Sequence, residues 1–168
     1  MVVRKGFTLI EMLVVLAIIG IIGAALLATI NPFAQLQKSN DSRRKSDLES
    51  VQRALELYYQ DKGSYPASVS NQIAPGGTAV AWGSSWSPYM SKLPKDPTSG
   101  NNYVYYSPAG NQSYYLYANL QRGAKDPQSC NNGNACTSLS GSGFPASSTC
   151  GSATNLFNYG VSSPNVSP

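Results

Sequence analysis

Residues 4–32 read RKGFTLIEMLVVLAIIGIIGAALLATINP. From Met12 to Ile30 there are 19 residues without a charge. As a helix, Phe7–Ile30 would be about 36 Å long at about 1.5 Å per residue, enough to cross a hydrocarbon core of about 30 Å. A secretory signal peptide has an apolar stretch of only about 7–15 residues, closed by small residues at a cleavage site. Gly23-Ala24-Ala25 would be such a site, but the apolar run continues past it and carries Glu11 inside it. A plain membrane anchor tolerates Glu11 near its start, where the helix macrodipole favours an anion. At the bilayer centre an acidic side chain costs about 2.5–3.5 kcal/mol. That reading leaves the junction just upstream, Lys5-Gly6-Phe7, without a purpose.

Lys5-Gly6-Phe7-Thr8-Leu9-Ile10-Glu11 resembles the processing site of type IV prepilins and type II secretion pseudopilins. In that family a short basic leader ends in Gly, a membrane aspartyl peptidase cuts after it, and the new terminal residue is N-methylated. The resemblance implies cleavage between Gly6 and Phe7, methylation of Phe7, and Glu11 as the assembly carboxylate. Gly20 falls where the family often has a helix-loosening glycine, and Pro32 lies about one turn beyond the family's usual proline. The chemistry of Glu11 then follows. Cleavage creates a cationic amino group on Phe7, and a neighbour's carboxylate neutralises it in a filament core without water. Removing one partner of such a buried pair costs about 3–5 kcal/mol.

Composition narrows the remaining possibilities. The 168 residues suit one domain, and only 12 % are charged. Histidine is absent, which removes the commonest general base and transition-metal ligand. The net charge is +4, of which Arg4 and Lys5 supply two, so the basic excess is too weak to argue for nucleic-acid binding by itself. Neither a phosphate-binding loop nor a recognisable frame of paired carboxylates is present, and no enzymatic activity is expected. Cys130, Cys136 and Cys150 lie in the last 39 residues with no zinc spacing. Behind a hydrophobic N-terminal segment they read as disulfide candidates outside the cytoplasm, with one thiol left over and the pairing open. A Cys136–Cys150 bridge would close a loop worth about 3 kcal/mol in the chain-entropy model. The upstream flank carries Arg4, Lys5 and the α-amino group and the downstream flank Lys38, Arg43, Arg44 and Lys45, so charge counting by itself favours the reverse topology. The cysteines and the resemblance place the C-terminal domain outside.

The chain is divided into a leader (1–6), a membrane and filament-core helix (7–30), an amphipathic helix half (31–62), a globular region (63–126) and an uncharged Ser/Asn/Gly-rich tail (127–168). Leu48, Val51, Leu55 and Tyr58 recur on one helical face. Asp41–Lys45 and Glu49–Arg53 are i,i+4 pairs in the favourable order, on what reads as a solvated face. Gly63 predicts the helix end. The two helical parts predict one helix of about 55 residues and roughly 80 Å, kinked at Asn31-Pro32. Residues 64–102 read as loop-rich, with Trp82 and Trp86 as packing residues. Tyr103–Tyr106 and Ser113–Leu120 predict a hairpin near 103–120 around a Ser107–Gln112 turn. Leu93, Pro94, Asp96, Pro97, Tyr103 and Tyr105 are similar to the loop and strand of the major pseudopilin, and Tyr58–Pro66 to its helix exit. That protein also has a late acidic calcium loop. Calcium usually needs more than one carboxylate, and the only acids after Asp61 are Asp96 and Asp126. No metal site or cofactor is therefore assigned.

The expected fold class is α+β and pilin-like. A long N-terminal helix packs on a small antiparallel sheet, with a disulfide-bearing tail. The expected function is a structural subunit of a type IV pilus-like or type II secretion filament. The resemblance implies as partners further copies of the chain, other pilins or pseudopilins, a prepilin peptidase, an inner-membrane assembly platform and, before assembly, membrane lipid. It implies a single pass in the inner membrane, then a periplasmic or cell-surface filament. The alternative is a membrane-anchored module whose exposed tyrosines bind glycan or DNA without polymerising.

Overall fold

A computed structural model describes residues 6–29, 31–136 and 157–166. The chain divides into two units, Met1–Leu36 and Gln37–Pro168, the second called the head below. Helix α1 spans Leu9–Thr29 and helix α2 spans Pro32–Lys62. The long helix expected across both is thus two elements. The reason lies in Asn31-Pro32. The Asn31 side-chain Oδ1 accepts the Ala34 N–H at 3.1 Å, and its carbonyl accepts the Gln35 N–H at 3.2 Å. Asn is among the best N-caps, and Pro suits the first helical position because its missing N–H would have no partner there. Pro32 therefore opens a helix rather than kinking one.

Helix α2 ends as its sequence predicts. Gly63 adopts a left-handed φ of 71°, and its N–H bonds the Tyr59 carbonyl at 2.8 Å. This cap favours glycine because other residues resist positive φ. Strands β1 (Ala67–Val69) and β2 (Gln72–Ala74) follow as a small hairpin. Its turn residues, Ser70 and Asn71, both have positive φ (51° and 61°), as a two-residue hairpin turn requires. Neither the Ser-Asn turn nor the short strands stand out in sequence, which reads as loop here.

The main sheet has strand order β3-β4-β5, all antiparallel, with β3 at Val104–Tyr106, β4 at Tyr115–Ala118 and β5 at Tyr159–Ser162. Strands β3 and β4 fall inside the predicted hairpin: β3 starts one residue later and ends at Tyr106 as expected, and β4 is two residues shorter at each end. Strand β5 is an addition: part of the tail returns to pair with β4, Tyr117 opposite Gly160 and Leu116 opposite Val161.

Successive residues in a strand face opposite sides, and here both sides are covered. Tyr105, Leu116 and Ala118 pack with Leu48, Val51 and Leu55 of α2 in the larger core. Val104 and Tyr117 face the other way and pack with Cys136 and Phe157. The segment around Cys136 thus covers the back of the sheet. Trp82 and Trp86 are buried, as are Tyr103, Tyr105, Tyr114 and Tyr117. Four of the hairpin's tyrosines are therefore core, while Tyr106 and Tyr115 stay half-buried.

Candidate functional site

The candidate site begins with three residues outside the helix. Gly6, Phe7 and Thr8 are non-helical, and α1 starts at Leu9. Thr8 and Glu11 close on each other. The Thr8 N–H donates to Glu11 Oε2 at 2.8 Å, and the Thr8 hydroxyl donates to the same oxygen at 2.7 Å. The Glu11 N–H lies 3.3 Å from Thr8 Oγ1. Thr-x-x-Glu with this reciprocal pairing is a capping box, which satisfies two of the backbone donors that a helix start leaves open. Reading Glu11 only as an assembly carboxylate missed this local role, although Thr8 three residues upstream was the available signal.

Phe7 is 75 % exposed, and none of the 18-residue span Leu9–Leu26, with mean hydropathy 2.7, is buried. By length and composition this helix can cross a membrane. Gly20 lies inside α1, and a Cβ there would meet no other atom within 4 Å. Its lack of a side chain is therefore not required by packing within the chain.

The cysteines fall out differently from the bridge considered above. Cys130 is bonded to Cys136, so Cys136 has no sulfur valence for Cys150, which lies outside the described residues. The bridge closes a short loop rather than a fifteen-residue one. Main-chain bonds place it: the Cys130 N–H donates to the Asn158 carbonyl at 2.8 Å, and the Cys136 N–H to the Phe157 carbonyl at 3.1 Å.

The face of α2 expected to be solvated holds two buried charges instead. Arg44 is completely buried. Its Nε and Nη2 bond the two oxygens of Asp96 at 2.8 and 2.9 Å, Nη1 bonds Asp41 at 2.8 Å, and Nη2 reaches the Thr98 hydroxyl at 2.8 Å. Asp41 also accepts the main-chain N–H groups of Gln121 and Arg122, at 2.8 and 2.9 Å. Burial alone would lower the pKa of Arg44, but its two carboxylate partners outweigh it and hold the guanidinium charged. The expected i,i+4 pairs are replaced. Asp41 pairs with Arg44, Lys45 pairs with Asp126, and Arg53 donates to Ser50 Oγ. Local spacing cannot reveal a partner 52 residues away.

These pairings decide whether the calcium site of the resemblance fits. Both Asp96 oxygens are held by Arg44, and the Asp126 carboxylate is held by Lys45 and the Gln128 N–H. The late carboxylates are already neutralised, so they do not fit a calcium ligand set. Among the described residues no group of three or more Cys, Asp or Glu could hold a metal ion.

Comparison with known proteins agrees with both halves of this picture. Residues 31–135 match the family model described as type II secretion system (T2SS), protein G. Residues 1–27 match the prokaryotic N-terminal methylation motif. The type II secretion system core protein G of Escherichia coli (strain K12) is 32 % identical over 117 residues, covering 67 % of this chain and 79 % of that protein. The core protein G of Pseudomonas aeruginosa is 30 % identical over 119 residues, covering 68 % and 82 %. The type IV wide pilus major component PilA4 of Thermus thermophilus is 41 % identical over 70 residues, covering 42 % and 50 %. No solved structure matches the chain. With an N-terminal membrane-anchoring helix, a methylation motif and a protein G match across most of the head, the chain belongs to the type II secretion system protein G family of pseudopilins and type IV pilin-like proteins.

Proposed function

We propose that the chain is the structural subunit of a pseudopilus-type filament, cut between Gly6 and Phe7, methylated on Phe7 and assembled through α1. The observation that carries this reading is the order of features at the N-terminus. A basic leader, Gly6 and exposed non-helical Phe7 precede a capped apolar helix with no buried residue from Leu9 to Leu26. A peptidase needs an extended, accessible bond, and that is where the chain is not yet helical. Every atom of the Thr8–Glu11 capping box lies beyond Gly6, so the helix start survives cleavage.

Cleavage frees an amino group on Phe7, and the Glu11 carboxylate of a neighbouring subunit is its partner in the apolar filament core. Until that neighbour arrives, Thr8 supplies two donors to Glu11 and keeps the carboxylate solvated by protein. Assembly then adds a cation to an acceptor with free lone pairs rather than to a naked charge. The partners in this scheme are further copies of the chain, other pseudopilins, a prepilin peptidase, an inner-membrane assembly platform and, before assembly, lipid. The relatives named as core protein G favour secretion as the machine served. The Cys130–Cys136 bond suits a head outside the cytoplasm, where disulfides persist.

N-terminal mass spectrometry of membrane-extracted protein tests the reading directly. The expected product starts at Phe7 and carries one methyl group. A chain that keeps Met1, or begins near Val2, is an anchored module and overturns it.

A further inference from the structure

Lys45 stands one residue beyond the buried Arg44 and is a second place where α2 holds the C-terminal half of the head. Its Nζ lies 2.6 Å from Asp126 Oδ2, 2.8 Å from Gln128 Oε1 and 5.4 Å from the centre of the Tyr159 ring. The ammonium therefore meets a carboxylate, an amide oxygen and an aromatic face together, all groups that attract a compact cation.

Asp126 in turn organises the chain around itself. Its Oδ1 accepts the Gln128 N–H at 2.9 Å, and its carbonyl accepts the Ser129 N–H at 3.1 Å and the Ser129 hydroxyl at 2.8 Å. The next residue is Cys130, the start of the disulfide loop that covers the back of the sheet. Burial alone would push the Asp126 carboxyl up. The hydrogen bond from Lys45, the Gln128 N–H and the Lys45 charge outweigh this and hold it below the usual aspartate range.

We propose that the Lys45 ammonium is this chain's built-in substitute for a divalent cation, gathering the oxygens of the 126–128 turn onto α2 so that the turn takes no metal ion. The oxygens a hard cation would use first, Asp126 Oδ2 and Gln128 Oε1, already face Nζ. Calcium asks for six to eight oxygens at about 2.3–2.6 Å, and a second cation on the same carboxylate would be repelled by the ammonium beside it. The other carboxylates that bind this part of the chain are committed. Asp96 holds Arg44, and Asp41 holds Arg44 and the N–H groups of Gln121 and Arg122. A tethered ammonium also differs from a bound ion in its thermodynamics. A bound ion stabilises by mass action and only while its free concentration is high, whereas Lys45 is present at fixed local concentration. The order of the 126–136 segment is then independent of metal supply. This holds whether or not the chain polymerises.

The test uses the full chain in detergent micelles. Near-ultraviolet circular dichroism follows unfolding of the ring-rich head, and hydrogen–deuterium exchange by mass spectrometry follows the amides of Gln128 and Ser129. Wild type should show the same unfolding midpoint in millimolar calcium and in EGTA. Lys45→Met should lower the midpoint by about 3 °C and speed exchange at 128–129, while Lys45→Arg should retain most of the protection. A wild-type midpoint that rises by about 3 °C or more in calcium over EGTA would overturn the inference. So would unchanged exchange at 128–129 in Lys45→Met. If Lys45→Met fails to fold, the wild-type comparison with and without calcium still decides.

Discussion

In α1 none of the residues from Leu9 to Leu26 is buried, and its carboxylate, Glu11, is held by Thr8 three residues away. In the head, Arg44 is fully buried and holds Asp96, 52 residues further on. Both are charges in unusual surroundings, yet they are stabilised on opposite scales. Glu11 is satisfied by its own helical turn and faces outward with unused acceptor capacity. Arg44 has carboxylates on two sides and a hydroxyl on the third. The first charge keeps acceptor capacity for the intersubunit pairing proposed above; the second completes a structure already made. The apolar surface follows the same division. In α1 it is left unburied from Leu9 to Leu26, and in the head it is closed by both faces of a sheet.

Arg44→Met gives the largest expected loss in the head. It leaves Asp41 and Asp96 buried without their cation, a change worth about 3–5 kcal/mol, read as a lowered midpoint in chemical unfolding of the head. Membrane insertion of α1 should be unaffected, as fractionation would show. Glu11→Gln should do the reverse. The head's midpoint stays in place, while recovery of sheared filaments falls by more than about 100-fold if a pair of about 3 kcal/mol is lost. Normal filament yield from processed Glu11→Gln would remove the distinction drawn between the two charges.

Alkali offers a milder probe of the head. Burial first, then the hydrogen bond and charge of Asp47, raise the pKa of the Tyr103 phenol. Burial chiefly raises Tyr105 and Tyr114. Tyr65 is pushed up to about 12 by burial and by Glu56. A folded-state value above the unfolded one favours the neutral phenol in the fold. This stabilisation is complete below about pH 10, the unfolded value, and is lost as pH rises from there through the folded values. Tyrosinate absorbance should therefore lag behind that of free tyrosine and then rise cooperatively with loss of the head's ring signals. A smooth, non-cooperative titration beginning near the free value would mean the tyrosines are not core. The smallest effect belongs to α1. Thr8→Ala removes the cap at a cost of about 1 kcal/mol, read as fraying of the first turn by backbone amide exchange in micelles, with the head unchanged.

Most of α1 and its candidate site could be read along the chain because their determinants are neighbours. The leader, Gly6, Phe7, Glu11 and the apolar run sit within thirty residues, and the capping box is a four-residue pattern. The apolar stripe of Leu48, Val51 and Leu55 and the stop at Gly63 were legible for the same reason. The tyrosine hairpin was legible in outline, through its run of strand-forming residues. Strand β5 was not, because Tyr159–Ser162 contains a glycine and lacks a pattern of its own; it is a strand because β4 offers it an edge.

The amino-acid order, taken alone, settled what depends on near neighbours: an apolar helical run behind a methylation-motif start, an amphipathic helical stretch after it and its glycine stop. The folded chain decided what depends on distance. It chose Asp96 for Arg44, Asp126 for Lys45 and Cys130 for Cys136, and it turned part of an uncharged tail into a strand and its covering layer. The physical reason is that helix starts and apolar runs are set by backbone geometry and local solvation. Ion pairs, disulfides and strand edges are chosen only once packing has brought remote groups together and removed the water between them.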